Sequence, residues 1–217
     1  MASGEKKKLV VFDFDGVILD SLAEHKRRYD HVYSLFGKRN PAKTLSEWKK
    51  WHDSKWERNF TRLGIKESQL DLAIARYWRG FEYKTSKPFS GVKRVLQTLS
   101  EKYGLAIVSN TRASIVAKAL SKFGLRKFFA VIEGGNHKSG KAKRLREALR
   151  KSKTAKENAV IIGDTPADVR AGKELGVKTI GVLYGWSERK RISGEKPDGL
   201  VRKSREIPLL VKRIFGD

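Results

Sequence analysis

The stretch LVVFDFDG, Leu9 to Gly16, decides how the rest of the chain is read. Leu9–Phe14 is aliphatic and aromatic apart from Asp13, which suits a short strand covered on both faces. The stretch turns polar at Asp13 and Asp15 and breaks at Gly16. Leu105–Ser109, Ala159–Gly163 and Lys178–Val182 repeat this form, with shorter candidates at Ala130–Glu133 and Gly199–Val201. Amphipathic helices are predicted between them. Gly91–Lys102 places Val92, Val95, Leu96 and Leu99 on one face and stops at Gly104. Ile115–Phe123 is patterned alike and stops at Gly124, and Ala142–Lys151 and Pro166–Leu175 complete the series, with Pro166 fitting a first helical turn. Strands alternating with helices through short loops predict an α/β fold, a doubly wound parallel sheet.

Residues 19–87 break that alternation. They show helical periodicity over Leu22–Phe36, Leu45–Phe60 and Glu67–Tyr83, with no buried strand, and hold four of the five tryptophans: Trp48, Trp51, Trp56 and Trp78. The expected organisation is a helical insert at 19–87 with its own aromatic core, inside an α/β domain formed by 1–18 and 88–217.

Composition narrows the function classes. The chain has 217 residues, 39% hydrophobic and 33% charged, so it can bury a core beneath a heavily charged surface. No apolar run reaches the roughly 20 residues of a membrane span, and the start lacks a secretory pattern. The absence of cysteine excludes disulfide scaffolds, thiolate zinc sites and cysteine nucleophiles. A cytoplasmic globular protein without membrane contact is expected. Lys and Arg number 48 against 24 Asp and Glu, a net charge of +24 that first suggests a polyanion partner. The surplus is dispersed, however. Its densest stretch, Lys138–Lys156, opposes nine basic residues to Glu147 alone and fits a solvated helix face.

In parallel α/β sheets, ligands sit beyond the carboxyl ends of the strands. There the sequence offers Asp13 and Asp15, then Ser109-Asn110-Thr111, then Asp164 and Asp168 in GDTPAD. Four carboxylates meeting in one crevice repel unless a cation sits among them. Oxygen ligands without cysteine point to Mg²⁺, which binds a few carboxylates together with a phosphate group.

VFDFDGVILDS, the Ser-Asn-Thr step, a downstream lysine and GDTPADV together resemble the haloacid dehalogenase superfamily. The helical insert after the first motif is similar to the capped branch that includes phosphoglycolate phosphatases and β-phosphoglucomutases. Even the closing GVLYGWSER, the strand after Pro-Asp and the last helix look like the phosphoglycolate-phosphatase type. The resemblance implies a Rossmann-like core and a set of roles. Asp13 is the implied nucleophile and Asp15 the acid and base for the leaving alcohol and for water. The side chains of Asp13 and Asp164 with the backbone carbonyl of Asp15 are the implied Mg²⁺ ligands, and Asp168 binds the metal or orients its waters. Ser109 and the backbone N–H of Asn110 hold the phosphoryl oxygens. The motif lysine is Lys141, which opens a helix, or Lys138. The second aspartate, Asp15, favours phosphoryl transfer over dehalogenation, which leaves no alcohol to protonate.

The expected substrate is a small phosphorylated metabolite, acted on by a phosphoric monoester hydrolase. The alternatives are a phosphosugar mutase on the same motifs, and a nucleic-acid-binding protein whose acidic site is vestigial or trims polynucleotide ends. Nucleic-acid binding is expected to be weak and non-specific, since no nucleic-acid module occurs in the sequence. Specificity is expected from the insert, closing over the crevice. Candidates are Lys38, Arg39, Lys43, His25, His52, Trp48 and Trp51, although tryptophans three apart are also what core packing produces.

Overall fold

The computed structural model describes residues 8–53, 55, 57–135 and 140–217. The chain divides into two compact units, one taking the residues up to Asp20 with Pro88–Asp217 and the other Ser21–Lys87. The first strand, β1, covers Leu9–Phe12, two residues less than expected. Asp13 still donates its N–H to the Ile162 carbonyl at 2.8 Å. The chain then turns, and the N–H groups of Ile18 and Leu19 both converge on the Phe14 carbonyl at 2.9 and 3.0 Å. Leu19 is fully buried and its carbonyl accepts the Gly16 N–H at 2.9 Å. That turn keeps Leu19 and Asp20 with the core, so the inserted unit begins at Ser21, two residues later than the sequence suggested. Two-residue strands, β2 (Leu19–Asp20) and β3 (Lys87–Pro88), mark the two linkers.

The inserted unit is helical, with α1 (Leu22–Leu35), α2 (Leu45–Trp51), α3 (Glu57–Thr61) and α4 (Leu70–Trp78). The helix expected over 45–60 is divided, because His52 adopts an extended conformation at the end of α2. The Asn59 side chain accepts the Asp53 N–H at 2.8 Å and donates to the Asp53 carbonyl at 2.9 Å, which fixes the connection. Ser54 and Trp56 lie outside the described residues. Tyr29 sits at the centre of an aromatic core, its ring 5.0 Å from Trp48, 5.2 Å from Phe60 and 4.8 Å from Tyr77. Such ring contacts add to the area these side chains bury.

The core unit is one sheet in which β4 (Gly104–Val108), β5 (Val131–Glu133), β6 (Ala159–Gly163), β7 (Lys178–Val182) and β8 (Gly199–Val201) join β1 in the order β5-β4-β1-β6-β7-β8. Every pairing is parallel. The connecting helices are α5 (Val92–Ser100), α6 (Ala113–Lys122), α7 (Lys141–Lys151) and α8 (Pro166–Leu175), followed by α9 (Arg189–Gly194) and α10 (Ile207–Phe215). Leu9 and Val11 share a buried cluster with Val108, Leu145, Ala148 and Ile161 on one face of the sheet. Alternation sends Phe12 to the other face, where its ring meets Phe129 edge-on at 6.2 Å. The strand order grows one way from β1 through β4 to β5, and the other way through β6 to β8. It reverses at β1, the point where such sheets open a crevice. Among the described residues, no helix is long and apolar enough to cross a membrane.

Candidate active site

Register brings the polar strand ends to one level. Phe12 pairs with Ile107 of β4 and with Ile162 of β6, so Asp13, Val108 and Gly163 stand side by side. Ser109 and Asp164 follow one residue on. Asp13, Asp164 and Asp168 are all buried, and each offers a carboxylate oxygen within 4.8 Å of the others.

Among the described residues, one lysine answers this cluster. Lys141, the first residue of α7, places its Nζ 2.7 Å from Asp13 Oδ2 and also pairs with Asp168 Oδ1. The helix buries Lys141, Arg144, Leu145, Ala148 and Leu149, a single stripe at helical spacing. The apolar part of that stripe anchors α7 on the sheet and delivers the ammonium to the carboxylates. Burial pulls Lys141 down, but Asp13 and Asp168 outweigh it and leave its pKa above the ordinary value. Burial pushes Asp13 up against the pull of Lys141, with Asp168 and Asp15 adding to the rise, to about 7. Burial, then Asp13 and Asp168, drive Asp164 well above the usual carboxylate range. Among the described residues, three buried carboxylates against one ammonium leave an excess of negative charge.

The oxygens are unequally engaged. Asp13 Oδ1 accepts the Phe14 N–H at 2.7 Å. Asp168 Oδ2 accepts the Thr165 N–H at 2.9 Å and the Thr165 hydroxyl at 2.6 Å, closing a capping box at the start of α8. Asp164 Oδ2 accepts the Trp186 N–H at 2.6 Å, while its buried Oδ1 has no hydrogen-bond partner among the described residues. A hard divalent cation suits this donor set, with oxygen ligands, surplus negative charge and a buried lone pair otherwise unsatisfied.

Gly16 closes against Asp164. Its φ is +79°, and a Cβ there would lie 2.0 Å from Asp164 Oδ2. Gly16→Ala is therefore expected to cost about 1–3 kcal/mol through backbone strain and to displace that carboxylate. Urea unfolding and calorimetric Mg²⁺ titration check it; unchanged affinity and stability together would refute the steric account.

On the β4 side, Ser109 is buried and its Oγ accepts the Thr111 N–H at 3.1 Å, while Asn110 is exposed and its side-chain oxygen accepts from Arg144. Asp15 Oδ2 accepts the Thr111 hydroxyl at 2.6 Å. Thus Asp13, Asp164, Asp168 and Lys141 form one connected group, and Asp15, Ser109 and Asn110 flank it on neighbouring strand-end turns. Lys138, the alternative to Lys141, lies outside the described residues.

Sequence reasoning placed Thr111 at the strand end without a role of its own, and missed Arg144 and Trp186. Thr111 is a hydroxyl in the same strand-end turn as Ser109, and Arg144 shares the helical face of Lys141; both signals were present. Trp186 acts through its backbone N–H, which no side-chain pattern announces. In the inserted unit, His25 and Trp48 are buried in that unit's interior, with the His25 ring bonded to the Tyr77 hydroxyl. Trp51 and His52 are half-buried, and Lys38, Arg39 and Lys43 are exposed.

A family model described as haloacid dehalogenase-like hydrolase matches residues 10–182. The phosphoglycolate phosphatase of Photobacterium profundum is 25% identical, covering 98% of this chain and 99% of that protein. The phosphoglycolate phosphatase of Pseudomonas fluorescens is also 25% identical, over 94% of this chain and 79% of that one. Among solved structures, a predicted phosphatase from Clostridium acetobutylicum superposes with a TM-score of 0.85 at 22% identity, over 98% of this chain and 100% of its own. A haloacid dehalogenase-like family hydrolase from Streptococcus pneumoniae gives 0.83 at 23% identity, over 94% and 98%. At these identities the structural likeness is one of fold.

Proposed function

The chain belongs to the haloacid dehalogenase-like hydrolases, and on that premise we propose that it is a Mg²⁺-dependent phosphatase of a small phosphate monoester, similar in substrate class to the phosphoglycolate phosphatases. The observation that carries this proposal is the buried set Asp13, Asp164, Asp168 and Lys141 at the carboxyl ends of the two central strands. Mg²⁺ would be held by the side chains of Asp13 and Asp164 with the Asp15 carbonyl, and would supply positive charge against the phosphoryl oxygens. Asp168, engaged with Lys141 and the start of α8, keeps the lysine in place and orients waters.

The residues then divide the work. An oxygen of Asp13 forms a bond to phosphorus as the ester P–O bond breaks. The electron pair of that bond stays on the leaving oxygen, which takes a proton from Asp15 and departs as the alcohol. Water attacks the aspartyl-phosphate at phosphorus and gives its proton to Asp15, releasing inorganic phosphate and the Asp13 carboxylate. Lys141 holds Asp13 in place and offsets charge on the transferring group, while Ser109 and the Asn110 N–H hold its oxygens.

A panel of phosphate esters tests this proposal. It should include 2-phosphoglycolate, glucose 1-phosphate and a 5′-phosphorylated oligonucleotide, each assayed with Mg²⁺ and with EDTA. Release of inorganic phosphate from a small ester, abolished by EDTA and restored by Mg²⁺, is the expected result. Undiminished activity in EDTA would overturn the metal assignment. Isomerisation of glucose 1-phosphate without phosphate release would make the enzyme a mutase. Action on the oligonucleotide alone would transfer the site to nucleic-acid ends.

A further inference from the structure

We infer that Tyr184 is a positioning residue for the metal ligand Asp164: it fixes the loop after β7 so that the Trp186 N–H engages Asp164 Oδ2 and Oδ1 is offered to the cation. The inference rests on the metal-dependent phosphatase reading above. It starts from two bonds made two residues apart. The Tyr184 hydroxyl donates to the Val17 carbonyl at 3.2 Å, and the Trp186 N–H donates to Asp164 Oδ2 at 2.6 Å.

Three consecutive residues hold this loop. The Leu183 N–H donates to the Val201 carbonyl at 2.9 Å, so the loop leaves β7 from a root fixed on β8. Tyr184 then turns back, its ring meeting Phe89 edge-on at 4.9 Å while its hydroxyl reaches Val17. Both of its targets are themselves tied. The Phe89 N–H donates to the Ile18 carbonyl at 3.0 Å, and Val17 lies in the turn whose N–H groups converge on the Phe14 carbonyl. Gly185 comes next and passes between Gly16 and Asp164. A Cβ there would stand 2.6 Å from the Gly16 carbonyl oxygen and 2.3 Å from Asp164 Cβ. Only glycine lets the backbone approach the carboxylate so closely, and the next N–H is the one that Asp164 accepts.

Asp164 is fully buried at the end of β6. Its carboxyl group can turn about the bond to Cβ, and a donor fixed on Oδ2 removes that freedom. Oδ1, buried and without a hydrogen-bond partner among the described residues, then keeps one direction. A ligand oriented in advance loses little freedom when the ion arrives, and removing the outer partner of a metal ligand costs about 10–100-fold in affinity. Mg²⁺ is sensitive to this because it demands near-ideal geometry. Tyr184 acts on the outer partner and not on the ligand itself, so the lower end of that range is expected.

Mn²⁺ takes the same oxygen ligands as Mg²⁺, and its free form is counted by electron paramagnetic resonance with no substrate present. Tyr184→Phe removes the hydroxyl and keeps the ring, and it should weaken Mn²⁺ binding about tenfold. Tyr184→Leu, which also gives up the contact with Phe89, should weaken it further. Tyr103→Phe controls for the loss of a tyrosine hydroxyl elsewhere in the same unit, where it binds Asp217, and should bind Mn²⁺ as the parent does. Parent affinity in Tyr184→Phe, or an equal loss in Tyr103→Phe, would overturn the assignment while leaving the phosphatase reading intact. A parent protein that binds no Mn²⁺ would overturn the metal site and this inference with it.

Discussion

Asp13→Asn is expected to fold like the parent and to lose turnover by at least about a hundredfold, the lower end of what even a proton-transfer group contributes. The substitution is nearly isosteric. Its carboxamide oxygen can still accept the Phe14 N–H that now reaches Asp13 Oδ1, so the turn after β1 keeps its anchor. What disappears is the anionic oxygen that would bond to phosphorus. Removing one of three clustered carboxylates also relieves repulsion, so the metal-free variant should melt no lower than the parent. Initial rates on the best ester of the panel, with a thermal melt on the same preparation, make the check. Residual kcat above about one hundredth of the parent value would remove Asp13 from the nucleophile's role.

The second large effect falls on Lys141. Its ammonium is buried between Asp13 and Asp168, and removing it leaves buried carboxylates without their counter-charge, which costs about 3–5 kcal/mol. Lys141→Met keeps the length and the apolar stem while deleting the charge, so the loss is electrostatic. Activity should fall about 10²–10³-fold, as when one preorganised donor to a transferring group is removed. The stability penalty has a direction in pH. Asp13 titrates near 7, above its ordinary 3.8, because burial and neighbouring carboxylates disfavour ionisation. A carboxylate whose folded pKa lies above its unfolded value opposes folding once ionised. Without Lys141 that carboxyl rises further, so in EDTA the penalty should be small below about 7, where Asp13 is protonated in both folded proteins, and grow above it. Chemical denaturation of parent and variant across that range measures it. A penalty independent of pH would mean that packing, not charge, is what Lys141 contributes. Lys138→Met serves as the comparison and should stay close to the parent in rate.

The aspartate sites were legible because chemistry and secondary structure point the same way at those positions. The polar turn at Asp13 and Asp15 marked the carboxyl end of the first strand, although the strand was expected to run on to Phe14 and stops at Phe12. GDTPAD sets Asp168 four residues after Asp164, across a helix start that Pro166 announces. The strands of the sheet could be placed because aliphatic runs of four or five residues leave little choice of state. The inserted unit was legible only as a region. Its long helical run divides at His52, where the Asn59 side chain takes over the backbone groups of Asp53, a tertiary exchange that periodicity does not encode. His25 and Trp48, candidates for specificity, serve that unit's own packing. The supporting contacts of the site were hidden for a related reason. Thr111 meets Asp15 only because parallel register sets β4 beside β1, and Trp186 reaches Asp164 through its backbone.

The place of β1 at the middle of the sheet has a consequence for biosynthesis. On the ribosome this strand is made before either neighbour. Leu9 pairs with Gly104 on one side and with Ala159 on the other, so most of the polypeptide must follow before both edges of β1 are covered. The inserted unit, with an aromatic interior of its own, is synthesised in that interval. An aliphatic strand with two open edges is prone to pair with other chains. The aspartates that end it, Asp13 and Asp15, place charge beside the run Leu9–Phe12 from the moment it emerges.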